Sequence, residues 1–218
     1  MSGAITVLLA DDHTLVLRML GDRLAGEPGI QVVGCVGCAA DAVAEAERLR
    51  PDVVILDIDM PGVTSFEAAR TIRAGLPDTR LIFLSAFFND AYIDQALAVE
   101  AAAYLTKSEP PETVIQAIRG VMAGQRHFSP EVEARIVVDR GGVRLAGRGR
   151  SRASTLSNRE LEILRYVARG LSQKEIAGLT SRSSKTVHKH CNNIMAKLDI
   201  HDRVELTRFA IREGLAEA

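Results

Sequence analysis

The sequence predicts an α/β domain built on a five-stranded, doubly wound parallel sheet, followed by a small all-α domain of four helices. Three observations predict it. Short apolar runs alternate with helical apolar stripes through residues 5–123, which is the pattern of a parallel sheet covered on both faces. That alternation stops after Gly124. The charge also changes sign along the chain: residues 1–122 hold 9 Lys+Arg against 17 Asp+Glu, a net of −8, and the remaining residues hold 18 against 11, a net of +7. An acidic part joined to a basic part suggests two domains with different partners, the basic one suited to nucleic acid.

In order along the chain, Ile5–Ala10 is an apolar run stopped by Asp11 and Asp12, a strand buried on both faces. Residues 14–26 carry Val16, Leu20 and Leu24 at fourfold spacing, a helix that ends near Gly26 and Pro28. The pair repeats as strand 30–36 and helix 39–49, strand 53–56 and helix 64–75, strand 80–84 and helix 90–99, strand 102–105 and helix 111–123. Ser129-Pro130-Glu131 has helix-start chemistry and predicts a short helix to about Asp139. Residues 140–153 hold four Gly and five Arg without an apolar stripe, a flexible basic linker within 124–153. Beyond it, Ser157 with Glu160, Ser172 with Glu175 and Asp202 with Glu205 each have capping-box spacing. A further helix spans about 184–198, with Val187, His190 or Cys191, Ile194 and Leu198 on its buried stripe.

Composition narrows the classes further. Apolar residues make up 47% and charged residues 25%, a globular balance that excludes disordered and collagen-like chains. No apolar run approaches the roughly 18–20 residues of a spanning helix, and the first residues have no signal-peptide pattern. Cys35, Cys38 and Cys191 form no disulfide framework, and no second Cys/His pair accompanies Cys35 and Cys38. A cytoplasmic protein, with no membrane partner, is the expectation.

In an open parallel sheet, ligands bind outside the carboxyl ends of the strands. Those ends carry Asp11 and Asp12, then Asp57, Ser85, and finally Thr106 and Lys107. Three carboxylates brought together repel one another unless a cation neutralises them, and hard oxygen donors with water suit Mg²⁺. A carboxylate beside such a cation can attack phosphorus in line, with Lys107 absorbing charge and Ser85 donating to a phosphoryl oxygen. Read singly, Asp11 and Asp12 would only cap the following helix, with Lys107 paired to them. His13 reads as a surface or capping residue.

ADDH at 10–13, VVILDIDMPG at 53–62, FLSAF at 83–87 and AAYLTKSEPP at 102–111 resemble the receiver domain of bacterial two-component response regulators, a CheY-like, flavodoxin-like fold. The resemblance covers about residues 4–123. It implies Asp57 as phospho-acceptor, Asp12 as direct Mg²⁺ ligand, Asp11 acting through water, and the backbone carbonyl of Asp59 completing the metal site. It further implies Ser85 and Tyr104 as switch residues and Lys107 as a phosphoryl ligand. The chain departs from the family at Thr64-Ser65, where Asp-Gly is usual, and at Ala103 and Glu100, where Gly is common. Haloacid-dehalogenase-type phosphatases also carry apolar residues before Asp-x-Asp. They usually continue with Gly-Thr, where this chain has Met60-Pro61, and keep their second acidic pair late in the chain.

The helix at 184–198 turns Lys185, His188, Lys189, Asn192 and Asn193 away from its apolar stripe, and such side chains suit base edges and phosphates. LSNRELEILRYVARGLSQKEIAG at 156–178 and SSKTVHKHCNNIMAKLDIHDRVEL at 183–206 resemble the helix-turn-helix of LuxR-type regulators. That likeness implies a scaffold helix at 172–179, a recognition helix at 184–198, and DNA contacts from Lys185, Thr186, His188, Lys189, Asn192 and Lys197. It implies a dimer contact from Val204 and Ile211 on the last helix. Thr180 and Arg182 stand where apolar residues are usual in the turn.

Together the two likenesses imply the NarL/FixJ class: a receiver at 1–123, a linker at 124–153 and a DNA-binding domain at 154–218. The expected function is transcription control by double-stranded DNA binding, switched by a histidine kinase that phosphorylates Asp57 and promotes a homodimer. Such a protein is not an enzyme, although a receiver can assist its own phosphorylation and dephosphorylation. The alternative is an orphan regulator whose DNA binding ignores phosphorylation.

Overall fold

The structure, a computed structural model, describes residues 3–60, 62–86, 89–139, 142–145, 152–180 and 182–216. The chain divides into two compact units, Met1–Ala86 with Gln95–Ala134, and Phe87–Asp94 with Arg135–Ala218.

Residues 5–122 alternate as the sequence predicts: β1 (Ile5–Ala10), α1 (Thr14–Ala25), β2 (Ile30–Val36), α2 (Ala39–Leu49), β3 (Val53–Asp57), α3 (Ser65–Gly75), β4 (Arg80–Ser85), α4 (Asp90–Ala98), β5 (Ala103–Thr106) and α5 (Pro111–Met122). A two-residue strand, β6 (His127–Phe128), pairs with the free edge of β5 and makes the sheet six-stranded, in the order β2-β1-β3-β4-β5-β6, with every pairing parallel. Two residues are too few to show a period, so the sixth strand has no sequence signal. Val7, Leu9, Val53, Ile55, Ile82 and Leu105 face one layer of the core with Leu20 and Leu24 of α1 and Ile115 and Ile118 of α5. Strand residues one register apart face the other side, where Phe83 stacks tilted between Phe66 of α3 and Tyr104.

Register at the far end of the sheet is fixed by Asp52, whose carboxylate accepts from both the N–H and the hydroxyl of Thr6 at 2.8 and 2.7 Å. With β1 and β3 so aligned, Ala10 lies opposite Leu56, and Asp11 emerges beside Asp57.

The expected helix to Asp139 stops much earlier, at α6 (Pro130–Glu133). The β-branched run that follows instead forms β7 (Ile136–Asp139), paired antiparallel with β8 (Gly142–Leu145). Ile and Val lose side-chain freedom in a helix and favour strands, so local preference overrides the Ser-Pro-Glu start signal within one turn. Part of the expected linker is therefore a hairpin; its residues 140, 141 and 146–151 lie outside the described residues.

The helical domain begins with a 3₁₀ turn at Arg152–Thr155 and continues as α7 (Asn158–Ala168), α8 (Gln173–Leu179), α9 (Ser184–Leu198) and α10 (Arg203–Arg212). The capping boxes at Ser157/Glu160 and Ser172/Glu175 are complete. At α10 only half of the box forms: Asp202 accepts from the Glu205 N–H, and no reciprocal bond is made. A carboxylate at the cap repels the returning Glu carboxylate, which a Ser hydroxyl does not. α7 contacts α8, α9 and α10, and α8 contacts α9.

Candidate phosphoryl-acceptor site and nucleic-acid interface

The strand tips bring Asp11, Asp57 and Lys107 into one pocket. Lys107 Nζ lies 2.6 Å from Asp11 Oδ2 and 3.2 Å from Asp57 Oδ2. Asp57 is 1% exposed, Asp11 4% and Asp59 5%. Neither carboxylate oxygen of Asp57 accepts a well-formed hydrogen bond from the described residues, and Lys107 is its main counter-charge, with the Asp59 backbone N–H adding a weaker contribution. Burial pushes the Asp57 carboxyl up to about 6; Lys107 opposes that rise, while the neighbouring Asp11 and Asp59 add to it. Burial also works against the charge on Lys107, but Asp57 and Asp11 outweigh it and hold the ammonium above the ordinary lysine value.

Asp11 is fully engaged: Oδ2 takes Lys107, and Oδ1 accepts the backbone N–H of His13 at 2.9 Å. Asp12 is the more exposed member of the pair. The donor atoms of Asp11, Asp12, His13 and Asp57 all lie within 4.8 Å of one another. A cluster of hard oxygens around an under-partnered buried carboxylate fits a divalent cation, with Asp12 and Asp57 carrying the oxygens still available.

Ser85 is fully buried at the end of β4, and its carbonyl accepts the N–H of Lys107 at 2.8 Å, which fixes the backbone that carries the ammonium. Tyr104 is buried as well. Its ring packs tilted against that of Phe83, with centroids 6.5 Å apart.

Three residues near this site, Thr64, Ser65 and His13, had no functional role assigned from the sequence. Thr64 caps α3 with a complete capping box, and the buried Ser65 hydroxyl donates to the carbonyls of Asp57 and Ile58. The Thr64-Ser65 departure thus anchors the loop that follows Asp57. The signal was present as Thr64-x-x-Glu67, a capping-box spacing. His13 is the third. It occupies the N-cap position of α1 but makes no side-chain cap; its Nδ1 turns back to within 2.8 Å of Asp12 Oδ1 and 3.2 Å of Asp11 Oδ1.

Glu100 has φ +55, a left-handed conformation that glycine adopts without strain. Its carboxylate pairs with Arg73 at 2.7 Å, a contact no glycine could make.

In the helical domain, Val187, Cys191, Ile194 and Leu198 are buried, which resolves the stripe in favour of Cys191 over His190. Lys185, His188, Lys189, Asn192 and Asn193 are exposed, and Thr186 is half-buried within the α9 cap formed by Ser183. His188 stands between two amides: Gln173 Nε2 lies 3.2 Å from its Nδ1 and Asn192 Nδ2 lies 3.2 Å from its Nε2. Gln173, on α8, is a polar neighbour that single-helix reasoning had no means to find. Lys197 differs from the others, because its ammonium pairs with Glu160 of α7 at 2.6 Å and ties two helices together. Burial opposes the Glu160 charge, but Lys197 and the Ser157 hydrogen bonds prevail and hold its carboxyl below the usual range. Thr180 satisfies its hydroxyl on the Ile176 carbonyl at 2.7 Å, so the polar turn residue is accommodated, and Arg182 is exposed. On α10, Val204 is 64% exposed and Ile211 half-buried. Among the described residues no helix is long and apolar enough to cross a membrane.

Residues 7–119 match the response regulator receiver domain, and residues 154–210 match the bacterial regulatory proteins of the luxR family. The response regulator UvrY of Escherichia coli (strain K12) is 35% identical over 214 residues, 98% of this chain and 97% of that one. The response regulator GacA of Pseudomonas aeruginosa is 34% identical over 98% of this chain and 99% of its own. Among solved structures, RcsB of Salmonella typhimurium, described for its conformational dynamism in DNA interaction, superposes with a TM-score of 0.74 at 23% identity, over 98% of this chain and 100% of that one. RcsB of Salmonella enterica serovar Typhimurium, bound to promoter P1flhDC in the presence of phosphomimetic BeF3⁻, gives 0.68 at 25% identity over 95% of this chain and 98% of that one. With both halves matched in this order, the chain belongs to the two-component response regulators of the NarL/FixJ type, a receiver domain followed by a LuxR-type helix-turn-helix.

Proposed function

We propose that this chain is a cytoplasmic transcription regulator that accepts a phosphoryl group on Asp57 from a histidine kinase and thereby changes its affinity for double-stranded DNA. The observation that carries this reading is the buried Asp57 carboxylate, short of partners and held beside Lys107 at the tip of β3. One carboxylate oxygen of Asp57 attacks phosphorus in line. The new O–P bond forms as the donor's N–P bond breaks, and the departing imidazole keeps the electron pair and takes up a proton. Lys107 meets the charge on the phosphoryl oxygens, and the Ser85 hydroxyl, at the neighbouring strand end, donates to one of them. Mg²⁺, when bound by Asp12, Asp57 and the Asp59 carbonyl, supplies the positive charge that offsets the carboxylates and the transferring group.

Leu15 and Met19 leave apolar surface exposed on α1, close to Asp12 in sequence, where a kinase helix presenting its phosphohistidine could seat. On the DNA side, Lys185, Thr186, His188, Lys189 and Asn192 offer base-edge donors and phosphate ligands on α9. Val204 and Ile211 supply the apolar face for a homodimer on paired half-sites. That the structure of RcsB bound to promoter P1flhDC was determined in the presence of phosphomimetic BeF3⁻ supports the link between the two halves.

Intact mass after incubation with Mg²⁺ and phosphoramidate tests the acceptor. Wild type gains one phosphoryl group and Asp57→Asn gains none; equal labelling of both would place the acceptor elsewhere.

A further inference from the structure

We propose that His13 supplies a nitrogen ligand to the acidic pocket, making it a mixed nitrogen–oxygen site that favours a transition-metal dication such as Mn²⁺ over Mg²⁺. The inference rests on the reading of the strand tips as a cation site and specifies which cation that site prefers.

Three observations support it. Donor atoms bound to one octahedral ion at about 2.1 Å stand roughly 3 Å apart when adjacent. His13 Nδ1 lies 2.8 Å from Asp12 Oδ1 and 3.2 Å from Asp11 Oδ1, so the imidazole and the Asp12 carboxylate already have the bite of neighbouring ligands. The side chain makes no cap to α1, although it holds the capping position, and its ring nitrogen turns to the acidic pair instead. Finally, Asp57 is almost completely buried, its Oδ1 has no hydrogen-bond partner among the described residues, and its donor atom falls within 4.8 Å of the other three.

The geometry also divides the labour. Lys107 and the His13 N–H each engage one oxygen of Asp11, which leaves His13 Nδ1, Asp12 and Asp57 as the direct side-chain ligands, beside the Asp59 carbonyl. Oxygen donors alone serve Mg²⁺ well, whereas imidazole adds little to Mg²⁺ and more to transition dications.

Full-length protein is titrated calorimetrically with Mg²⁺ and with Mn²⁺, and the Mn²⁺ form is studied by electron spin-echo modulation, which detects a coordinated ¹⁴N. Wild type, His13→Ala, Asp12→Asn and Asp57→Asn are compared. The expected result is imidazole ¹⁴N modulation in wild type that disappears in His13→Ala, with the Mn²⁺ over Mg²⁺ preference falling about tenfold and Mg²⁺ affinity changing little. His127, His188, His190 and His201 remain in that variant, so modulation that persists would come from elsewhere and overturns the proposal. Mn²⁺ bound with unchanged preference in His13→Ala also overturns it. If instead neither ion binds wild type, or both bind Asp12→Asn and Asp57→Asn undiminished, the cation site itself is wrong, and His13 falls with it.

Discussion

The strand tips and the α9 surface are both polar, but they hold their polar groups in opposite ways. Around Asp57 the carboxylates are buried, Asp57 and Asp11 share one ammonium, and the acceptor oxygens lack well-formed hydrogen bonds among the described residues. On α9 the charged and amide side chains are exposed, and His188 is already bridged to Gln173 and Asn192. A buried, under-partnered charge stores free energy that binding or chemistry can release. An exposed, solvated face stores almost none, and its value lies in the pattern it presents to a partner. The first site therefore declares itself by electrostatics, and the second only by spacing and resemblance.

The largest effect that would sharpen this contrast is at Asp57. Its folded-state pKa of about 6 lies above the unfolded carboxylate value, so protons bind more tightly to the folded protein and stability falls as pH rises from about 4 to 6. Asp57→Asn removes that penalty. At pH 7 without divalent cation it should raise unfolding free energy by about 1–3 kcal/mol, less whatever Lys107 loses with its partner. The gain should vanish near pH 4 and shrink when Mg²⁺ is added, as denaturant melts at the three conditions would show. An unchanged gain at pH 4 would mean the charge is not its source.

Next come the exposed groups, where stability should barely respond and DNA affinity should. Asn192→Ala should cost about 1–3 kcal/mol of discrimination at one or two base pairs. Lys185→Ala should weaken all sequences alike and reduce the salt slope by roughly one counterion. Fluorescence anisotropy with a selected operator at several salt concentrations separates the two.

Lys197 belongs to the other class despite its place on the same helix. Lys197→Met leaves the largely buried Glu160 carboxylate without its ammonium, so unfolding free energy should fall by about 1 kcal/mol near neutral pH. The Glu160 pKa is depressed in the folded state, so this contribution is present above the ordinary glutamate range and is lost as pH falls through it. DNA affinity should change less than in Lys185→Ala; a larger change would return Lys197 to the recognition surface.

The smallest effect concerns Glu100. Glycine there relieves a left-handed φ worth roughly 1 kcal/mol, against an exposed ion pair with Arg73 worth a few tenths. Glu100→Gly should raise thermal stability slightly, by a degree or two in a scan.

How much of this was legible follows from how local each signal is. Strands β1 and β2 and helix α2 fall where the apolar runs and turn residues place them, because buried parallel strands leave unbroken aliphatic segments. Asp11, Asp57 and Lys107 converge because each ends a strand, and strand ends share an edge by topology. The hairpin β7–β8 was hidden behind a genuine helix-start signal, and β6 behind its length. Ser65 reaching the Asp57 carbonyl, His13 folding back on the acidic pair and Gln173 meeting His188 are consequences of packing across turns. No periodicity or cap rule encodes such contacts.

The central claim joins the two regions: a phosphoryl group on Asp57 changes what α9 does. Anisotropy of one labelled operator at fixed salt, with full-length wild type and Asp57→Asn, each with and without Mg²⁺ and phosphoramidate, tests it most directly. The account predicts tighter binding by phosphorylated wild type and no response from Asp57→Asn. Identical affinities in all four samples, with mass confirming that wild type was phosphorylated, would contradict it and leave an orphan DNA-binding regulator.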